Sequence, residues 1–345
     1  MSSGGVELTK CVKIEKEKAQ KVKDELIDTG LLDRGYKPDS SSEFVFFPVK
    51  GKMDGCALFE KKLKKINRKP NSLTEALAGV LKPDEIGAVV TSFDVLGELA
   101  IVEIPGGLVK KRKEIGEAVM EVHKNVRTVA AKMGPMEGKF RVRKLEVIAG
   151  KKKTETVYRE SGCSFLLDPA KVYFSPRLSF ERERIAGLIK PGERVLVMFA
   201  GVGPFAVVAS KRNPLAEISA IELNPAAFEY MVKNIKLNRL EGRVNPVFGD
   251  VREVVPVLFE GWADRVLMPL PKGAEEFLDV ALEAAKKGAV IHVYCFARVG
   301  EEKKKANEIA RRIGELGRKA RLLNFRTVRP FAPHVDQIAV DVLVE

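Results

Sequence analysis

Gly201 and Gly203 interrupt the run Arg194-Val-Leu-Val-Met-Phe-Ala-Gly-Val-Gly-Pro-Phe205, in which Val195 to Phe199 are all apolar. Glycine turns at positive φ without steric cost and lets a ligand approach the main chain. Glu222 ends Ile218-Ser-Ala-Ile-Glu222, 21 residues after Gly201. At that offset a carboxylate can accept both ribose hydroxyls of a nucleoside. Asp250 closes Val244-Asn-Pro-Val-Phe-Gly-Asp250 and is placed to meet an adenine edge. A fourth segment, Asp264 to Lys272, ends in a turn that carries Pro269 and Pro271. Glycines after a strand also make plain connections, but the spaced acids give this turn more weight. NAD and S-adenosylmethionine both suit such a pattern. The third glycine that would serve a pyrophosphate is absent, and Pro204 stands in its place, which favours S-adenosylmethionine. Phe199, Ala200, Gly201, Gly203, Glu222, Asp250, Pro269 and Pro271 are therefore candidate cofactor contacts.

These residues need a sheet edge to hold them. From about Lys171 strand and helix patterns alternate to the end, with further strands at Ala289–Tyr294, Ala320–Phe325 and Gln337–Val344. The last two are joined by a Pro-containing loop without a helix. The pattern predicts an α/β fold, a Rossmann-like class I methyltransferase sheet of seven strands with an antiparallel final strand. Two smaller α+β modules precede it. The first, about residues 1–68, has helical spacing at Val22, Leu26 and Ile27 and a strand-like Phe44-Val-Phe-Phe-Pro-Val49. The basic, Pro-ended run Lys61 to Pro70 is expected to be a linker. The second module, about residues 72–170, has strand patterns at Ala88–Val95, Gly97–Ile104, Glu137–Arg143 and Thr154–Tyr158, and a helix from about Lys113 to Val122.

Lys and Arg number 60 against 47 Asp and Glu in 345 residues, a net charge of +13. A polyanion partner accounts for that imbalance better than a surface merely rich in Lys and Glu. The four cysteines, Cys11, Cys56, Cys163 and Cys295, form no CxxC pair, so neither a zinc site nor a disulfide framework is suggested. No apolar run reaches a membrane span and the start lacks a signal-peptide core. A cytoplasmic, monomeric enzyme without metal or membrane is expected.

Tyr173-Phe-Ser-Pro-Arg-Leu178, Glu181-Arg182, Met198-Phe-Ala-Gly-Val-Gly-Pro-Phe205 and Gly249-Asp-Val-Arg-Glu253 together resemble the archaeal and eukaryotic tRNA (guanine-37-N1)-methyltransferases. The resemblance extends over nearly the whole chain, including Phe140-Arg-Val-Arg143. It implies S-adenosylmethionine as cofactor, tRNA as partner, and a first module that grips the tRNA outer corner. Methylating guanine at N1 requires a base for the N1 proton and a group to stabilise charge on O6. The target base must also be splayed out of its stack. The resemblance assigns Glu181 the general base, Arg141 the O6 charge, and Tyr173, Arg177 and Arg182 places near cofactor or target nucleotide. Without it, Glu181 reads as a helix N-terminal carboxylate, Arg141 as a surface arginine and Arg182 as a salt-bridge partner.

Two positions depart from the family pattern: Val197 replaces the usual Asp, and Pro269 the usual Asn. Without a side-chain acceptor at Pro269, an exocyclic amine target is disfavoured and a ring nitrogen suited. Two alternatives remain at this stage. One is a wyosine-pathway enzyme acting at tRNA position 37, either an aminocarboxypropyl transferase or a methyltransferase of an intermediate. The other is a non-catalytic RNA-binding relative. Ser175-Pro-Arg177 argues against the aminocarboxypropyl transferase.

Overall fold

The computed structural model describes residues 5–66, 70–78, 80–136, 138–270 and 272–345. It divides into two compact units, residues 1–75 and 76–345. The first contains β1 (Val6–Glu15), α1 (Ala19–Asp28), β2 (Asp39–Ser40), β3 (Phe44–Pro48) and β4 (Leu58–Lys64). The strands form one sheet in the order β2-β3-β1-β4, with β1 antiparallel to both neighbours. Leu26 of α1 packs with Val12, Ile14 and Phe47 in a small core. The run expected as a linker begins as strand: Lys61 to Lys64 lie in β4, opposite β1. Leu63 points inward, fully buried, while Lys61 lies over the Phe46 ring. Alternation of one leucine among lysines was thus a sheet signal, masked by charge. Asn67 to Lys69 fall outside the described residues.

The chain leaves this unit through α2 (Leu73–Leu77) and continues with α3 (Pro83–Ala88), β5 (Asp94–Leu96), β6 (Leu99–Val102), α4 (Arg112–Val122), β7 (Thr128–Lys132) and β8 (Leu145–Gly150). β5 to β8 form a sheet in sequence order, parallel only between β6 and β7. A hairpin, β9 (Thr156–Glu160) and β10 (Cys163–Leu167), follows. Two expected strands are corrected here. Of Ala88–Val95 only Asp94 and Val95 enter a strand, and Gly138 to Arg141 form a turn in which Arg141 takes φ 52°.

The remainder comprises α5 (Ser179–Leu188), β11 (Arg194–Val197), α6 (Pro204–Arg212), β12 (Glu217–Glu222), α7 (Pro225–Leu237), β13 (Val244–Phe248), α8 (Val251–Leu258), β14 (Ala263–Met268), α9 (Leu278–Ala284), β15 (Ala285–Arg298), α10 (Glu302–Glu315), β16 (Ala320–Ala332) and β17 (Val335–Val344). The expected seven-stranded sheet forms, in the order β13-β12-β11-β14-β15-β17-β16. β11 to β15 are mutually parallel and β17 runs antiparallel between β15 and β16. On one face Ile185, Phe205, Met231 and the sheet residues Val195 and Val197 share a core with Leu99 and Ala130 of the smaller sheet. On the other face α8, α9 and α10 contribute Val255, Ala281 and Ile309. The C-terminal sheet is therefore preceded by two smaller domains, the second of which shares its core.

Candidate active site

The strand-to-helix turns at one end of the sheet are built by local chemistry. Gly203, at φ 83°, precedes Pro204 at the first position of α6, whose fixed φ suits a helix start. Asn224 caps α7 by accepting from the Ala226 amide at 3.0 Å, and Asp250 caps α8 by accepting from the Arg252 amide at 3.1 Å. The carboxyl ends of β11, β12, β13 and β14 thereby converge on one cavity of about 520 Å³. Ligands of doubly wound sheets bind at such an edge.

Phe199, Gly201, Glu222, Asp250 and Pro269 line this cavity, as does Tyr173 from the segment before α5. Phe199 adopts φ 56°, and its ring meets Phe277 edge-on with centroids 4.9 Å apart. Such backbone strain in a non-glycine residue is typical of ligand sites. Glu222 accepts amide bonds from Gly201 at 2.6 Å and Asn224 at 2.7 Å. Burial pushes its carboxyl above the usual range, while those amide bonds oppose the rise. Asp250 lies 3.6 Å from Lys139, which belongs to the Gly138–Arg141 turn at the cavity mouth. The size falls within the roughly 300–1,000 Å³ of small-molecule pockets. With a carboxylate closing each of two adjacent strands, the residues fit an S-adenosyl ligand.

A second cavity of about 270 Å³ shares Arg141 and Tyr173 with the first. The Arg141 guanidinium stands 5.5 Å from the Tyr173 ring centroid. Lys132, Arg141, Arg143, Arg177 and Arg329 line this space against one carboxylate among the described residues, Asp94, with Phe174 and Phe331 as aromatic walls. Arg177 donates to Asp94 at 2.8 Å. A cationic space with aromatic walls is suited to a nucleotide and its phosphates.

Glu181 and Arg182 are adjacent in α5, buried, and in neither cavity wall. Arg182 donates to both oxygens of Glu160, at 2.5 and 2.6 Å, and to the Ser175 carbonyl at 3.2 Å. Glu181 is only 2% exposed. Its Oε1 accepts from Tyr294 at 2.8 Å and from Arg184 Nη2 at 2.6 Å, and Arg326 lies 3.7 Å from Oε2. Arg184 continues to Asp341 at 2.8 Å, Asp341 meets His292 Nδ1 at 2.6 Å, and His292 Nε2 meets Arg265 at 2.6 Å. Arg265 can only donate, so Nε2 must accept and the Nδ1 proton goes to Asp341. His292 is consequently neutral. Complete burial and the flanking Arg265 and Arg184 push its pKa down, despite the pull of Asp341.

A model described as the TRM5/TYW2 methyltransferase domain matches residues 156–323. Models of the TYW2 N-terminal domain and the tRNA methyltransferase 5 N-terminal domain match residues 73–154 and 11–72. The tRNA (guanine(37)-N(1))-methyltransferase Trm5b of Pyrococcus abyssi is 41% identical over 98% of this chain and 99% of its own length. The chain belongs to the Trm5 methyltransferase family. The P. abyssi Trm5b crystal structure superposes with TM-score 0.73 over the same shares of both chains. A structure titled the complex of aTrm5 and tRNALeu, 35% identical, gives 0.76 over 97% of this chain and 99% of that one. Pyrococcus horikoshii TYW2 in complex with MeSAdo is more distant: 30% identity and 0.68, covering 79% of this chain and 97% of that one.

Within this Trm5-family chain the larger cavity gathers seven of the sequence-derived candidates, Arg141 among them, and leaves out others for physical reasons. Ala200 and Gly203 shape the turn from behind. The Ala200 amide donates to Ile221, and a Cβ on Gly203 would come within 2.9 Å of Met231. Pro271 lies outside the described residues. Arg182, expected at the substrate, is occupied by Glu160 in the interior. Val197 is fully buried in the apolar core, where the family's usual Asp would be costly without a partner. Lys132, Arg143, Arg329 and Phe331, given no role in the sequence reading, stand in the second cavity. Arg143 alone had a signal, lying two residues from Arg141 in Phe140-Arg-Val-Arg143.

Proposed function

We propose that this protein methylates N1 of guanosine 37 in tRNA, with S-adenosylmethionine in the larger cavity and the target guanine entering through the smaller. Bound there, S-adenosylmethionine supplies the methyl group from its sulfonium. Glu222 receives the ribose hydroxyls and Asp250 the adenine edge, with Phe199 and Gly201 as the floor and Pro269 at the rim. The observation that carries the reading is the meeting of the two cavities at Arg141 and Tyr173. A site for a nucleoside with acid-binding hydroxyls adjoins a site for a polyanion, and the transferred group has to pass between them.

At neutral pH guanine N1 bears a proton, and its removal leaves negative charge on O6. Arg141, at the junction, is placed to meet that charge. Glu181 takes the proton. Its oxygens are held by Arg184 and Tyr294, so to act it must exchange one of these bonds for N1–H as the base enters. Arg177 steadies the nucleotide, and Arg182 holds the Ser175 carbonyl and with it the segment carrying Tyr173.

Single-turnover pH–rate profiles on one tRNA transcript test this assignment. Glu181→Gln should slow methyl transfer by about 10²–10⁴-fold, the usual worth of general-base help, with the tRNA dissociation constant nearly unchanged. Raising pH should partly rescue it, because more guanine loses its proton unaided. Arg141→Ala should show no such rescue. A Glu181→Gln enzyme with the wild-type rate and profile would return Glu181 to a purely structural role in its Arg184 network.

A further inference from the structure

Phe180, at the start of α5, is 71% exposed, although large aromatic side chains usually gain from cover. Over its ring, 5.4 Å from the centroid, lies the Arg326 guanidinium from β16. Farther along β16, Arg329 and Phe331 line the smaller cavity, with the guanidinium 6.0 Å from the ring. Phe331 is itself 45% exposed and backed by Phe296, centroids 4.2 Å apart. Two ring-and-guanidinium pairs thus lie along β16, the first with its ring supplied by α5, and the second opens into the smaller cavity. From Arg326 to Phe331 an extended strand covers about 16 Å. Flat rings offer stacking to any base, and guanidinium groups offer both stacking planes and phosphate contacts.

Extruding a target base deprives its neighbours of a stacking partner. A surface that supplies substitute stacks beside the receiving cavity offsets part of that cost. We propose that the Phe180–Arg326 and Phe331–Arg329 pairs form a track on which unpaired anticodon-loop nucleotides flanking the target base stack. The proposal rests on the reading of the smaller cavity as the receiver of that base.

Its test uses the full chain and equilibrium binding of one tRNA, intact or made abasic at either neighbour of position 37. Phe180→Ala should weaken binding of intact tRNA on the order of tenfold, while Phe180→Tyr binds like wild type. S-adenosylmethionine affinity and melting temperature should not change, since the side chain is exposed. On one of the two abasic tRNAs, Phe180→Ala and wild type should bind equally. The track is overturned if Phe180→Ala binds intact tRNA as tightly as wild type, or if its deficit persists undiminished on both abasic tRNAs. It is likewise overturned if the substitution changes the mass of the protein in solution, which would make the patch a contact between copies. The catalytic reading is decided separately by Glu181→Gln, whose defect lies in rate rather than in tRNA affinity.

Discussion

Glu222 is held by two amide groups of the turns it serves, so it orders the cavity before any ligand arrives. Glu222→Ala should weaken S-adenosylmethionine binding by about 1.5–3 kcal/mol, the scale of a hydrogen bond to a charged group, as read by calorimetry. Because burial raises its pKa, affinity should decline on acidification while an ordinary glutamate would still be charged. Glu222→Gln should remove that part of the pH dependence. The sign for ligand-free stability is opposite: a raised carboxyl favours the folded state as pH falls through its folded value. The place of Glu222 at the cavity was legible because it follows from distance along the chain. Arg182 reads from the residues alone as a salt-bridge partner, as it is, but which acid it meets was not legible, since Glu160 sits on a hairpin whose docking no local pattern announces. Removing that partner leaves a buried charge alone, so Glu160→Ala should cost about 3–5 kcal/mol in urea unfolding. The same limit applies to Glu181, whose bond to Tyr294 depends on how α5 lies against β15, although its bond to Arg184 stays within α5.

At the scale of elements, the turn between β11 and α6 came through from sequence because its signals are local: an apolar run, two glycines, then proline. Gly203→Ala places a Cβ at positive φ and within 2.9 Å of Met231. The backbone penalty alone is about 1–2 kcal/mol, so a lower melting temperature and weaker cofactor binding should appear together. The Gly138–Arg141 turn misled for the converse reason. Phe140-Arg-Val-Arg143 alternates with the period of a strand, yet Gly138 at φ 70° and Arg141 at φ 52° bend it into the cavity mouth. The lysines of β4 misled through charge, although Leu63 kept the strand period. Alternation reports which face is wet. It does not report whether a partner strand is present to receive the hydrogen bonds.

For the whole molecule, a charge of +13 sets the salt response. Affinity for tRNA should fall steeply and linearly with the logarithm of salt concentration, while S-adenosylmethionine affinity should barely move. We propose that residues 1–68 bear on tRNA away from the anticodon loop. A chain beginning at Asn71 should then fold and bind S-adenosylmethionine, but lose preference for whole tRNA over an anticodon stem-loop. Equal preference in the shortened and full chains would assign that module another role. The order of strands across the large sheet also constrains its birth on the ribosome. β11 to β14, which bear the cofactor edge, emerge first and can pair as they come. β17 lies inside β16, against β15, although it is translated later. Until Val335 to Val344 leave the exit tunnel, β15 presents an unpaired edge and β16 has no neighbour to dock on. Until then that edge is open to capture by another strand.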